Sequence, residues 1–514
     1  MDSYQILVIA LLILAVADLV VGVSNDAVNF LISAIGSRAA GKRTIMIVAA
    51  LGVFAGAAFS SGMMEVARKG IFNPEFFSFA DVMVIFMAVM ITDILLLDTF
   101  NSLGLPTSTT VSIVFELLGA AVMTGWLMLS RGETDASNLI ELINTSKAGE
   151  IISGIFISIG VAFSIGALVQ WLCRLWFTFQ LQHRIKTIGV LFGGIAMTFI
   201  IYFLLVKGIK GAVFVDDTLA NSIKENTWNI VGISLISSTL ILLLLNRVAN
   251  INPLKIVVLA GTFSLAMAFA GNDLVNFIGV PIAGFDSYND FVKAGVDASD
   301  YMMTSLAEPR KASGLMLYIA GAVMVITLWL SAKAKRVTDT SINLSSQGDV
   351  DERFKPNVLS HGIVNAATSF NNFFTNVVGS KTLVFINSRF KTVEIAKEDR
   401  PAFDLVRASV NLMVASVLIA FASSLKLPLS TTYVSFMVAM GTSLADRAWG
   451  KGSAPYRVAG VVNVIGGWFL TAIGAFTAAA VVAGLIYFGG NYVALGLFVV
   501  ALFVLVRSNL KKKK

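Results

Sequence analysis

Apolar runs of roughly 20 residues, long enough to cross a bilayer as helices, recur along the whole of this chain. In the first half they cover 6–23, 44–63, 79–97, 111–129, 150–172, 187–206 and 228–246. In the second half they cover 255–282, 313–331, 403–425, 432–445, 457–487 and 491–507, with 432–445 and 491–507 short. An all-α polytopic membrane protein of 12–13 spans is therefore predicted. Composition agrees, since only 13% of the 514 residues are charged, against about 25% in soluble domains. A lone cysteine, Cys173, excludes a disulfide scaffold, and two distant histidines, His183 and His361, make no His/Cys metal site. The first run reads as a span and not a cleaved leader, because Met1-Asp2-Ser3 carry no positive charge and apolar character persists beyond Ala17.

Basic residues between spans predict orientation. Arg38, Lys42 and Arg43 place the first loop on the cytoplasmic side and the N-terminus outside. The acidic loops 130–149 and 284–310 then fall outside. Arg174, Arg184, Lys186, Lys333, Lys335, Arg336, Arg447, Lys451 and Arg457 fall inside. Thirteen crossings also bring Arg507 and Lys511 to Lys514 inside. The net charge of +7 thus reads as topology and not as a nucleic-acid surface. The long polar segment 333–400 reads as a cytoplasmic insert in which Ile363, Ala367, Phe370, Phe374 and Val377 share one helical face.

Two polar clusters stand where a bilayer span should be apolar, and ionisable groups there are costly and usually functional. Ser24-Asn25-Asp26-Ala27-Val28-Asn29 and Gly271-Asn272-Asp273-Leu274-Val275-Asn276 share the pattern Asn-Asp-x-Val-Asn. Asn and Asp compete for backbone hydrogen bonds, so both helices are expected to break there, lining an enclosed cavity. A second pair follows: Pro106-Thr107-Ser108-Thr109-Thr110 and Pro428-Leu429-Ser430-Thr431-Thr432. Pro followed by Ser or Thr marks a helix start. Its free N–H groups and dipole favour an anion.

Asn25 to Ser108 spans 83 residues and Asn272 to Ser430 spans 158, or 90 without the 68 residues of the insert. By the loop charges, the two copies of each motif run in opposite directions. This order and orientation match the inverted-topology repeats of secondary transporters. The expected division is a first repeat over 1–172, connecting spans over 173–250, a second repeat over 251–487 carrying the insert, and a C-terminal span with a basic tail over 488–514.

The four motifs resemble those of the inorganic phosphate transporter (PiT) family, with its Gly-x-Asn-Asp-x-x-Asn and Pro-x-Ser-Thr-Thr segments. Gly36-Ser37 and Arg68-Lys69-Gly70 add to the similarity. The chain departs from the family pattern at several places. Val111 and Tyr433 stand where a histidine commonly follows Ser-Thr-Thr, Phe269 replaces another histidine, and Gly52 replaces a glutamate. The resemblance implies a phosphate symporter coupled to Na⁺ or H⁺, with no resident cofactor and a homodimer as a possible state. Some relatives carry sulfate, so another tetrahedral oxyanion is the alternative, and an ion channel a further one. No acid/base pair with a metal, nucleophile triad or Walker-type loop points to an enzyme.

The residues also suggest a division of labour. Hydroxyls of Ser108, Thr109, Thr110, Ser430, Thr431 and Thr432, with the amides of Asn25 and Asn272, are expected to donate to the oxyanion. Asp26 and Asp273 would repel that anion unless a cation or proton compensates them. Asp26, Asn29, Asp273 and Asn276 are therefore the expected cation-coupling residues, and Asp26 and Asp273 the ligands of Na⁺ if sodium is the coupling ion. Glu116, six residues beyond Thr110, is a candidate to sense protons or line the path, with a tie to a neighbouring polar group as the alternative, while Asp18, Asp93 and Asp98 are further acids not named as ligands.

Overall fold

The computed structural model describes residues 3–58, 70–104, 107–179, 185–207, 217–308, 312–331, 380–390, 401–447 and 454–510, residues 60, 68 and 310, and isolated positions between 333 and 369. Pro106, His183, Arg184, Lys335, Arg336, Lys451, Lys511 to Lys514 and the apolar face through Ile363 and Val377 lie outside the described residues.

The main helices are α1 (Ser3–Asp26), α2 (Val28–Gly36), α3 (Lys42–Ala57), α4 (Phe79–Leu103), α5 (Thr109–Arg131), α6 (Thr145–Phe177) and α7 (Val190–Ile201). They continue with α8 (Thr227–Val248), α9 (Pro253–Ala294), α10 (Gly314–Leu330), α11 (Ser380–Arg389), α12 (Leu405–Ser424), α13 (Thr431–Ala445) and α14 (Ala454–Leu510). Among the described residues nine helical segments are long and apolar enough to cross a membrane. Each apolar run expected from the sequence is helical through most of its described part. Inside α14, Gly490 adopts φ 65° and ψ −162°, a conformation that favours glycine. There the chain reverses: Tyr487 meets Glu133 before the turn, Asn491 bonds Ser3 just after it, and Ser508 faces Ser102 at the far end.

Contacts along the helices give their directions. Tyr4 packs on Phe79 with ring centroids 5.2 Å apart, while Asn25 bonds Asn101, so α1 and α4 run parallel. Gly22 abuts Phe277 and Leu11 abuts Gly284, so α1 and α9 run antiparallel. The two Asn-Asp helices thus cross the molecule in opposite senses.

α4 and α5 form a helical hairpin. It descends from the end of the molecule marked by Tyr4, Phe79 and Phe291 and turns near Asn101 and Thr107. A second hairpin, α12–α13, enters from the opposite end, where Asp404 and Asp446 both bind Arg174, and turns at Leu425 to Ser430. The two tips meet beside Asp26 and Asp273.

One expectation is overturned. The Asn-Asp segments do not break their helices. α9 runs uninterrupted through Gly271–Asn276. Between α1 and α2 only Ala27 is left out, and it keeps right-handed helical angles and a bond from its N–H to Val23 O at 3.0 Å. The reason is partnership: the Asn and Asp side chains bond residues of the hairpins, so they do not compete for their own backbone. The breaks fall in the hairpin tips instead, where Gly104 (φ 68°) ends α4 in a left-handed C-cap.

Tight crossings hold this arrangement together. Gly52 and Gly56 of α3 lie against α9 so closely that a Cβ on Gly56 would sit 2.2 Å from Met267 O. Small residues of this kind let membrane helices approach backbone to backbone. At the α12–α13 end, buried Arg174 forks onto Asp446 (2.7 and 2.8 Å) and reaches Asp404 at 2.7 Å, and Gln170 adds a bond to Asp446 at 2.7 Å. That network ties α6 to both legs of the second hairpin.

Candidate substrate and cation site

Each Ser-Thr-Thr segment starts a helix because its serine caps it. Ser108 Oγ accepts from Val111 N–H and Ser430 Oγ from Tyr433 N–H, both at 3.1 Å. Capping places the following threonines in the first turn, at the hairpin tips. Their backbone N–H groups have no carbonyl one turn back to bond, and the positive end of each helix dipole lies there.

The threonine hydroxyls meet the two aspartates in a crosswise pattern. Thr109 and Thr432 donate to Asp26 at 2.9 and 3.1 Å. Thr110 donates to Asp273 at 3.2 Å, and Thr431 bonds its other oxygen. Each carboxylate therefore receives one threonine from each hairpin. The motif asparagines complete the pattern from behind. Asn29 donates to Thr431 and Thr432 at 3.3 and 3.0 Å, and Asn276 to Thr109 and Thr110 at 3.4 and 3.0 Å. Ser435 fixes Asn29 through its amide oxygen at 3.1 Å. All these side chains are buried.

Asn25 and Asn272 are engaged with the hairpin tips. Asn25 accepts from Thr107 N–H at 3.0 Å and donates to Asn101 at 2.8 Å, while Asn101 donates to Val21 O at 2.8 Å. Asn272 donates to Leu429 O at 2.8 Å and to Asp273 at 2.7 Å, and accepts from Ser423 at 3.3 Å. In this conformation both amides tether a hairpin tip to its Asn-Asp helix. A tip outside the helix ladder has backbone groups that need buried partners, and the asparagines supply them. Asn101 and Ser423 were not singled out by motif reading, yet each lies seven residues before its Ser-Thr-Thr serine. That equal offset was the available signal.

The threonine hydroxyls are engaged with the two carboxylates. A hydroxyl has one proton, and here each is directed at a carboxylate, that of Thr110 being shared with Leu429 O at 3.3 Å. Among the described residues, the tips still offer an anion the N–H groups of the first turns and the hydroxyls of Ser108 and Ser430. The oxygens of Asp26, Thr109 and Thr432, and those of Asp273, Thr110 and Thr431, form two hard-oxygen sets of the kind that holds an alkali cation.

Helices that span a membrane, and enclose a polar centre reached by hairpins from both ends, define an integral membrane transporter and not an enzyme. A model of the phosphate transporter family matches residues 22–341, more than half of the chain, and the chain belongs to that family. The matched stretch contains both Asn-Asp motifs and the first Ser-Thr-Thr segment. No curated protein sequence matches. Among solved structures, one described as a sodium-dependent phosphate transporter is similar over 94% of this chain and 99% of that one, with a TM-score of 0.62 and 16% identity. At that identity the similarity is one of fold.

Proposed function

We propose that this chain is a secondary active symporter that moves inorganic phosphate across the membrane, coupled to Na⁺ or H⁺, by alternating access. The observation that carries the reading is the crosswise pairing of Asp26 and Asp273 with one threonine from each hairpin. Two negative charges in a low-dielectric centre would repel an anion. A cation or proton on each carboxylate removes that repulsion, and phosphate can then be held by the first-turn N–H groups with Ser108 and Ser430. Anion affinity that depends on cation occupancy is the coupling free energy of a symporter. Sodium coupling draws further support from the similar fold of a sodium-dependent phosphate transporter.

The antiparallel Asn-Asp helices and opposed hairpins support two inverted repeats, 1–172 and 251–487, moving against each other around a fixed site. The loop charges support a cell-membrane orientation with the N-terminus outside and the C-terminus cytoplasmic.

Uptake of radiolabelled phosphate into proteoliposomes under imposed Na⁺ or H⁺ gradients tests this reading. Gradient-driven accumulation, suppressed by unlabelled phosphate and little affected by sulfate, is expected. Indifference to phosphate with inhibition by sulfate would assign the site to sulfate instead. Asp273→Asn is expected to abolish cation-stimulated uptake while leaving a monodisperse protein, and normal stimulation in that variant would refute the coupling role.

A further inference from the structure

Among the described residues, Asp18 on α1, Asp93 on α4 and Glu116 on α5 are fully buried outside the site just described, and unlike Asp446 with Arg174 and Asp98 with Lys333 they have no cationic partner. They come together. Asp18 faces Asp93 at hydrogen-bonding range, and Asp93 faces Glu116. Ser112 donates to Glu116 Oε1 at 2.8 Å. Ser112 also lies near Asp93, and among the described residues no other donor reaches the oxygens of Asp18 or Asp93, or Glu116 Oε2, all of them buried. Among the described residues no Lys, Arg or His forms an ion pair with any of the three. The further charged group facing them is Asp26, which adds negative charge.

Carboxyl oxygens accept; two of them at hydrogen-bonding range need something positive between them. Isolated buried charge of this kind is too costly to persist unpaired. Nor does the architecture require acids here. Matching Asp26 to Asp273 and Ser108 to Ser430 sets Asp18 opposite Leu265, Asp93 opposite Ala415 and Glu116 opposite Val438. All three counterparts are buried and apolar. The first half has therefore placed three acids where the second half fills the same positions with hydrocarbon.

We propose that Asp18, Asp93 and Glu116 form a separate binding site for a small monovalent cation, a proton or a sodium ion. It lies about 12 Å along α1 from Asp26, at 1.5 Å per residue, toward the end of the molecule marked by Tyr4 and Phe79. The proposal rests on the transporter reading only for what the site is used for. Its occupancy is independent of which anion is carried.

The test uses the purified full-length chain without phosphate, recorded by infrared difference spectroscopy in sodium-free choline buffer and again after adding NaCl. A protonated-carboxyl band that shifts in D₂O and disappears on alkalinisation is expected if the occupant is a proton. Loss of that band on adding sodium at constant pH is expected if sodium occupies the site. Either component should be missing from Asp93→Asn and from the combined variant Asp18→Leu, Asp93→Ala and Glu116→Val, which borrows the apolar residues of the other half. The combined variant keeps the protein testable if Asp93→Asn does not fold. Wild-type and variant spectra that superimpose at every pH and sodium concentration would overturn the proposal. Because no phosphate is present, this result stands apart from the uptake assay: a sulfate carrier would pass one test and fail the other.

Discussion

Thr109 and Thr432 each give a single proton to Asp26, at 2.9 and 3.1 Å, and this makes the carboxylate dependent on both hairpins at once. Replacing either threonine by valine keeps the shape and removes the donor. Valine also removes one oxygen of the set around Asp26, and a hard cation depends on oxygen ligands, so Thr432→Val should weaken the apparent affinity for sodium about tenfold or more. Phosphate KM at saturating cation should change far less, because the first-turn N–H groups are untouched. Cation titrations of uptake check this, and equal changes in both constants would contradict the assignment of threonines to the cation side. The twelve residues nominated from motif and spacing do meet at the centre, because a polar residue in a bilayer span has few reasons to exist other than a shared site. Their hydrogen-bond roles were not legible. Whether an asparagine amide faces an anion or ties down a loop depends on what the tertiary fold brings opposite it, as Asn272 and Leu429 show.

The helices themselves were readable from apolar length alone, and their interruptions were misplaced for a physical reason. Propensity disfavours Asn and Asp inside an isolated helix, but α9 passes through Gly271–Asn276 unbroken once Thr110, Thr431 and Leu429 supply partners. Direct approach of elements was legible only in part: the Gly-x-x-x-Gly spacing of Gly52 and Gly56 marks a close crossing, but nothing local names α9 as the partner. At Gly56 a Cβ would sit 2.2 Å from Met267 O and 2.9 Å from the Cβ of Ala270, both on α9. Backbone cannot yield as a flexible side chain does, so Gly56→Leu should force α3 and α9 apart, at a cost of about 1–3 kcal/mol or more. A lower midpoint of thermal unfolding in detergent is the expected reading. Gly149→Leu, at a position where a Cβ meets nothing within 4 Å, should leave the midpoint close to wild type.

At the scale of the whole molecule, the two hairpins enter from opposite ends, so the membrane sidedness of one fixes that of the other. The loop after α5 is acidic, with Glu133 and Asp135. The opposite end carries Arg174, Arg389, Arg407 and Arg447, with α11 held there by Arg389 on Leu175 O at 2.8 Å and by Asn387 on Arg447 at 2.9 Å. Retention of basic residues on the cytoplasmic side predicts the α4–α5 hairpin on the outer face and the α12–α13 hairpin on the inner one. The chain is suited to a direct test, because its one cysteine, Cys173, is buried and leaves a quiet background for thiol labelling. Asp135 and Lys381 are both exposed, one at each end. In intact cells a membrane-impermeant maleimide should label Asp135→Cys and spare Lys381→Cys, which should react only after the membrane is opened. Labelling of Lys381→Cys alone would invert the topology. It would then bring the buried carboxyls of Asp18, Asp93 and Glu116 to the cytoplasmic side of the Asp26 site, so that a cation taken up from outside would meet Asp26 first.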